Sequence, residues 1–597
     1  MGQVPAGGGA PGPQGAFAGA QYLMGLQLFV RLATFSTNTA VLYIAGRRAF
    51  GVASVRFELL LSTILFLSRE GMRNALLRVA VADRSGSEGS TALRTSQNSA
   101  STPAGRPSAQ EQRIINAALV PIAAGMGMAG CLYAAYVGRS AEGPEPQGPG
   151  SVPYYRLSLA VYIVAAWIEL CVEPLFVLSR ARVLFRLQAK CEGIAVSCRC
   201  AAVVAALLAG RLVAETAGEN PLRLLAFAVG QLAYATAILL AFAWHMAREL
   251  DYPVWMCYVP RAGPRPRDGT QRSGAIGGLA AVLVGQSLLK HFLTQGDSMV
   301  MARFATADEM GVFAFVSNYG SIPARIVFLP LEEASRAVFS RMAPSQPPRH
   351  SGGTPSAGSA MDVGDAEEDG TREGDARGAA HILATLGKLQ LLLGLLLVAF
   401  GPLYAPVLLS LIRQNDPAVR QALVAYCFYL PLLGLNGFVE AFVHSVASRR
   451  QLLRINMWMV VFTAVYMTVA VLALCHYNLG SAGIIAANML NMALRVAYGG
   501  WFIFGWYAQR HSAGPRLAAM LPHPAVAGAC LASSVTAAAA MAATGAAQNL
   551  VLCRLTVLAL GAALGAAVLV IVWRYEQPFI RSVQALRTGQ PLHAKVD

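Results

Sequence analysis

The chain has 597 residues, of which 55% are hydrophobic and only 13% charged, and its mean hydropathy is +0.49. Soluble domains carry about a quarter charged residues, so this chain cannot cover a water-facing surface and takes lipid as its solvent. The net charge of +16 comes without a soluble module of clustered basic and aromatic residues, which excludes a nucleic-acid partner.

Residues 1–20 are rich in Gly, Ala and Pro and hold no Lys or Arg, so they read as a disordered tail rather than a cleavable signal peptide. Crossing the hydrocarbon takes about twenty mostly apolar residues. Such runs lie at Tyr22–Tyr43, Gly51–Leu67, Ile114–Val137, Tyr155–Leu178, Val183–Leu208 and Leu222–Trp244. Six more follow at Ile276–Phe304, Gly311–Phe328, Ala379–Phe400, Ala418–Ala447, Ile455–Cys475 and Ala482–Phe504. Two Ala-rich runs, Ala525–Ala543 and Leu550–Val572, complete the set. Ala and Leu dominate, and the alternating pattern of outer-membrane strands is missing. The expected fold is an all-α polytopic membrane protein of about 14 spanning helices. The seventh and eighth runs are the weakest, being interrupted by polar residues.

Most of the 47 Lys and Arg fall in the loops after the even-numbered runs and in the C-terminal tail, where Arg574, Arg581, Arg587 and Lys595 stand. The positive-inside rule then places both termini in the cytosol. Long loops at Arg69–Arg113, Arg248–Ser273 and Arg341–Gly378, the last with an acidic patch, read as disordered. Expected domains are an N-terminal helix lobe at 21–247, a linker at 248–273, a C-terminal lobe at 274–508 containing the insert 341–378, and two further helices with a tail at 509–597. Two six-helix lobes around a central cavity are a common transporter plan. Ten cysteines are scattered with no CxxC pair, and read as apolar packing residues.

An ionisable group at mid-membrane costs roughly 2.5–3.5 kcal/mol on insertion scales, so each one needs a reason. Arg31, Arg56, Lys290, Arg325 and Arg495 lie within runs, as do Glu169, Glu173 and Glu440. Gln286, Lys290, Thr294 and Asp297 are spaced to share one helical face. Ser317, Ser321 and Arg325 form another stripe, and Asn488, Asn491 and Arg495 a third. Polar stripes must face other helices or a watery cavity. Two readings stand for Glu169 and Glu173: pairing with arginines of neighbouring helices, or service in a cavity. Arg69, Glu70 and Arg73 read as anchors at the membrane edge. Arg31, Arg56, Lys290 and Arg325 together would line an electropositive cavity suited to a phosphate-bearing head group. No Walker loop, HExxH, GxSxG or metal-ligand cluster occurs in the sequence, so no catalysis, cofactor or metal is expected.

Several segments, in order along nearly the whole chain, resemble the Rft family of eukaryotic oligosaccharide-lipid translocation proteins. They are Gly51-Val-Ala-Ser-Val-Arg56 leading to Phe66-Leu-Ser-Arg-Glu70, then Glu169-Leu-Cys-Val-Glu173-Pro174, Gln286-Ser-Leu-Leu-Lys290 and Leu293-Thr-Gln-Gly296. Gly311-Val-Phe, Asn318-Tyr-Gly-Ser321, Arg325 with Phe328-Leu-Pro-Leu-Glu332-Glu333, Asn436-Gly-Phe-Val-Glu440 and Asn491-Met-Ala-Leu-Arg495 continue it. The inserts after the second and eighth runs and the last two helices depart from the family pattern.

The resemblance implies an endoplasmic reticulum membrane protein of asparagine-linked glycosylation, within the multidrug, oligosaccharidyl-lipid and polysaccharide exporter superfamily. It implies a dolichyl-diphosphate lipid carrying five mannoses on chitobiose as the partner, moved from the cytosolic to the lumenal leaflet by the protein or with its essential help. Diphosphate contact then falls to Arg31, Arg56, Lys290 and Arg325, with Glu169, Glu173, Glu332 and Glu440 holding or releasing those cations. Two alternatives stay open: a non-transporting scaffold for glycosylation-pathway enzymes, and a small-molecule antiporter on the same fold.

Overall fold

The computed structural model describes residues 44–73, 109–140, 152–182, 184–214, 222–249, 253–260, 271–342, 364–412, 416–509, 517–544 and 550–588, with a few isolated positions beside them. Every regular element among the described residues is helical. The chain divides into two compact units, Met1–Phe315 and Val316–Asp597. In the first are α1 (Arg47–Arg73), α2 (Ile114–Gly138), α3 (Tyr155–Arg180), α4 (Arg186–Leu212), α5 (Arg223–Arg248) and α6 (Gln271–Phe304). The boundary falls inside α7 (Ala307–Gly320). The second holds α8 (Leu329–Met342), α9 (Gly364–Leu411), α10 (Pro417–Val446), α11 (Arg449–Cys475), α12 (Gly480–Ala508), α13 (Pro524–Thr544), α14 (Leu550–Tyr575) and α15 (Gln577–Thr588).

Ten described helices are long and apolar enough to span a membrane, and each coincides with one of the fourteen expected runs. The eighth run is a pair bent by 42° between Gly320 and Ala324, where Pro323 follows a turn. The seventh and twelfth runs fold as the helices α6 and α12, of 34 and 29 residues, but fall outside those ten. Their polar residues, Lys290, His291, Thr294 and Gln295 in one and Asn488, Asn491 and Arg495 in the other, lower the hydropathy. The first run and the N-terminal tail lie outside the described residues, apart from isolated positions.

Two stretches expected to be disordered carry structure. An apolar segment inside the 248–273 linker forms a 3₁₀ turn, Val254–Cys257. Its Cys257 is buried among Ile115, Val172, Leu175 and Phe242, and Tyr258 donates its hydroxyl to the Cys171 carbonyl at 2.6 Å. Burial pushes that hydroxyl's pKa up, so it stays a donor. Likewise α9 begins at Gly364, within the acidic insert.

Helix α1 organises the first unit. A side chain at Gly51 would meet the Gly311 backbone nitrogen at 2.2 Å, so α1 and α7 cross backbone against backbone. A Cβ at Gly71 would lie 2.8 Å from the backbone of Val284, which sets the second crossing, with α6. Small residues permit such approaches where no hydrophobic force drives helices together. Phe57 packs against Tyr155 and Tyr162 of α3 at ring distances of 5.5 and 4.9 Å. Two π-helical stretches, Val52–Phe57 and Phe66–Glu70, interrupt α1, and a third, Ala324–Phe328, precedes α8.

In the second unit the two C-terminal spanning helices dock on α9. Ala399, Cys530 and Val568 share a buried cluster, and Ser534 donates to the Ala399 carbonyl at 2.9 Å. Glu576, just past α14, is 3% exposed, pairs with Lys388 of α9 at 2.8 Å and accepts the backbone N–H of His523 at 2.7 Å. One carboxylate thus joins α9, the start of α13 and the end of α14. Breaking a buried pair from one side costs about 3–5 kcal/mol because a bare charge stays behind. Lys388→Met is therefore expected to lower the thermal unfolding temperature in detergent sharply. Adding Glu576→Gln, which removes the charge and keeps the acceptor, is expected to restore much of it. Equal losses in both variants would show that the pair does not hold the helices.

Candidate functional site

The polar residues of the first unit converge on a cavity of about 360 Å³ walled by α1, α3, α4, α5 and α6. Helix α1 supplies Glu58, Ser62, Arg69, Glu70 and Arg73 from positions one or two turns apart. Into the same space α6 presents Lys290, His291, Thr294 and Gln295, and α3, α4 and α5 present Glu169, Arg199, Gln231 and Tyr234. The seventh run is polar because this wall is.

Two ion pairs one helical turn apart join α1 to α3. Arg69 donates to Glu169 at 3.0 Å, and Arg73 grips Glu173 through two bonds of 2.7 and 2.6 Å. The Glu173 side chain is 2% exposed and that of Arg73 16%. The Arg73 guanidinium also lies 3.9 Å from the centre of the Phe176 ring. Bidentate geometry and a flanking ring are what make arginine suited to a desolvated carboxylate. Glu169 further accepts from Gln231 at 3.3 Å. Two looser pairs complete the wall, Arg199 with Glu58 and Lys290 with Glu70, each at 3.9 Å.

His291 is held by its surroundings. Its Nε2 lies 2.9 Å from the Thr63 hydroxyl, which is itself 2.7 Å from the Leu59 carbonyl. A hydroxyl has one proton, and the carbonyl can only accept it, so Nε2 carries a proton and donates to Thr63. Phe66 stacks on the imidazole at 5.4 Å, with the Lys290 ammonium 5.6 Å from the same ring centre.

The expected site residues disperse over several places. Arg31 lies outside the described residues. Arg56 sits in the first π stretch, donates two bonds to the Ala302 carbonyl at 3.0 and 2.9 Å and meets the Tyr155 hydroxyl at 3.3 Å. It lines a second cavity, of about 160 Å³, with Tyr136, Met299 and Arg303. Lys290 stands in the large cavity with its side chain 65% exposed. Arg325 is exposed in the π stretch before α8.

The four expected carboxylates have partners other than those cations. Glu169 and Glu173 take Arg69 and Arg73, which are held inside the unit. Glu332 pairs with Arg336 at 2.8 Å. Glu440 accepts from Asn436 and meets the His444 ring nitrogen, both at 3.2 Å. Sequence reasoning passed over Arg199, Gln231 and Tyr234. Arg199 is a charge well inside the Val183–Leu208 run and Gln231 a lone amide beside Gly230, signals of the kind that singled out Lys290.

Fold and cavity together define a multi-pass helical membrane protein with a polar interior. A protein-family model described as Rft protein matches residues 15–585, and the chain belongs to that family. Three relatives carry the name Man(5)GlcNAc(2)-PP-dolichol translocation protein RFT1. The one from Eremothecium gossypii is 28% identical over 504 residues, 82% of each chain. That from Saccharomyces cerevisiae is 25% identical over 81% of this chain and 82% of its own, and that from Xenopus tropicalis 27% identical over 85% of each. Among solved structures, the chain is similar to an inward-facing multidrug resistance MATE family transporter of the MOP superfamily. That likeness has a TM-score of 0.46 at 14% identity and covers 80% of this chain and 99% of the other.

The doubled pair between α1 and α3 sets the shape of the cavity. Arg73→Ala, which strands Glu173, is expected to cost about 3–5 kcal/mol. The exchange Arg73→Glu with Glu173→Arg is expected to recover more than half of it, read as unfolding temperature in detergent. No recovery on exchange would mean that packing, such as Arg73 against Phe176, outweighs the charge.

Proposed function

We propose that this protein translocates a dolichyl-diphosphate-linked oligosaccharide, five mannoses on chitobiose, across the endoplasmic reticulum membrane for protein N-glycosylation, with both termini cytosolic. Family membership supports the substrate class, since relatives aligned over most of both chains are named for that lipid. The observation that carries the reading is an exposed Lys290 at a polar cavity walled by helices of a membrane protein. A polar head group crosses hydrocarbon only where helices offer it hydrogen-bonding partners.

In this reading the diphosphate meets Lys290 at the large cavity and Arg56 at the second cavity of the same unit along its path. Arginine binds phosphate oxygens through a planar fork, and lysine as a point charge. The isoprenoid tail stays in lipid while the head group passes. Glu70 is the carboxylate that releases Lys290, because their 3.9 Å separation is the loosest kind of pairing and yields readily to a dianion. Arg69 and Arg73 stay committed to α3 and hold the wall in place. The driving force comes from outside the protein, through the glycosylation enzymes that consume the lipid after delivery.

Reconstitution tests this directly. Purified protein in liposomes is expected to move the dolichyl-diphosphate glycan between leaflets. Each charge-assisted hydrogen bond to the diphosphate is worth about 1.5–3 kcal/mol, so Arg56→Ala with Lys290→Ala is expected to slow movement more than about tenfold. The folded state is followed by unfolding temperature. No movement by folded wild type, or undiminished movement by the folded double variant, would overturn the reading or its site.

A further inference from the structure

We propose that the cavity walled by α1, α3, α4, α5 and α6 is a saccharide subsite, which takes the sugar next to the diphosphate as a neutral, hydrogen-bonding ring; this rests on the translocation reading above. The charges of its wall are neutralised pair by pair. Arg69 is committed to Glu169, Arg73 to Glu173, Arg199 lies by Glu58 and Lys290 by Glu70. Glu58, Glu70 and Glu169 themselves face the space. The lining holds four cations and three carboxylates, each cation beside a carboxylate, so the space presents donors and acceptors side by side, the match for a ring of hydroxyl and amide groups.

One acceptor is vacant. Gln231 is 1% exposed, and its amide nitrogen donates to Glu169 while its Oε1 has no hydrogen-bond partner. Buried carbonyl oxygens are normally satisfied; this one is enclosed, on a residue that lines the cavity, so a guest's donor satisfies it once the Gln231 side chain turns toward the space. Diphosphate, fully ionised, has no proton to give. A sugar hydroxyl or an acetamido N–H does, and the hydroxyl oxygen or the acetamido carbonyl also accepts from the arginine side of each pair. Thr294, Gln295 and Tyr234 add further groups that both donate and accept.

Size agrees with one part of the head group rather than all of it. Small-molecule clefts run from roughly 300 to 1,000 Å³, and about 360 Å³ is at the lower end. A ring or two fits and a seven-sugar glycan does not. The relatives' printed name places GlcNAc next to the diphosphate, so an N-acetylhexosamine inside leaves its phosphates near the exposed Lys290.

The test uses the full chain in detergent and saturation-transfer NMR with two soluble probes, N,N′-diacetylchitobiose and inorganic pyrophosphate. Wild type is expected to transfer saturation to the acetamido and ring protons of the disaccharide, and an excess of pyrophosphate is expected to leave that signal in place. Gln231→Leu is expected to weaken disaccharide binding about fivefold, the loss of one neutral hydrogen bond. Thr294→Trp fills the space from an exposed position that no core packing depends on, and is expected to abolish the signal whether or not Gln231→Leu folds. A folded wild type without signal, full displacement by pyrophosphate, or equal signal from the Thr294→Trp variant overturns the subsite. Glycolipid movement in liposomes together with any of those results would sink the subsite and leave translocation standing. Disaccharide signal with no glycolipid movement would do the reverse.

Discussion

The arrangement of the first unit depends on one constraint: an ion withdrawn from water inside a membrane protein must have its partner built into the next helix. Arg69 and Arg73 on α1 and Glu169 and Glu173 on α3 are each four residues apart, so two pairs form in the same register. Sliding either helix by one residue would break both at once and leave four charges among apolar neighbours. Apolar packing alone does not give such a definite register, since one Leu row fits another at several offsets. With α3 fixed against α1, the close crossings at Gly51–Gly311 and Gly71–Val284 bring α7 and α6 to the same helix.

The π stretches explain how one helix can serve so many neighbours. On a regular α-helix, Arg56 and Arg69 would point about 140° apart, because thirteen residues at 3.6 per turn leave that angle. Yet both meet α3, Arg56 at Tyr155 and Arg69 at Glu169. Each arginine stands in a wider turn, Arg56 in Val52–Phe57 and Arg69 in Phe66–Glu70, where the regular α register is interrupted. Arg325 occupies a third such stretch. Single-turn π segments recur at functional sites because they re-aim a side chain at the expense of regular hydrogen bonding.

Much of this was legible in the sequence, and the rest was hidden for physical reasons. Apolar runs located the spans, because hydropathy over twenty residues is a property of one segment alone. The site needed relations between segments. Lys290 could be singled out as a charge in a run, but its partner Glu70 belongs to a different helix, and nothing in either helix announces the other. The apolar run ends at Leu67, but the helix continues to Arg73 and pairs its last turn with α3, a contact that no single segment reveals. Gln231 is one amide in a run otherwise fit for lipid, and its meaning appears only once Glu169 is seen beside it. The Tyr258 contact was hidden in a loop whose Pro and Arg content outweighed a short apolar segment.

The paired wall also bears on selectivity. A buried ion pair is seldom the cheapest way to stabilise a fold, since apolar residues of like volume often do as well or better. Two such pairs and two looser, more exposed ones around one cavity therefore argue for what they offer a guest as well as for what they hold together. Fixed in pairs, the charges lose most of their long-range field but keep their hydrogen-bonding edges, and the space becomes polar without becoming strongly positive. An unpaired set of four cations would hold a diphosphate tightly and release it slowly, which is unsuited to a carrier that must let go on the far side. A neutral polar pocket beside one loosely tethered lysine separates the two tasks. The ring is recognised by direction and the phosphates by charge, and neither contact is strong enough to trap the lipid.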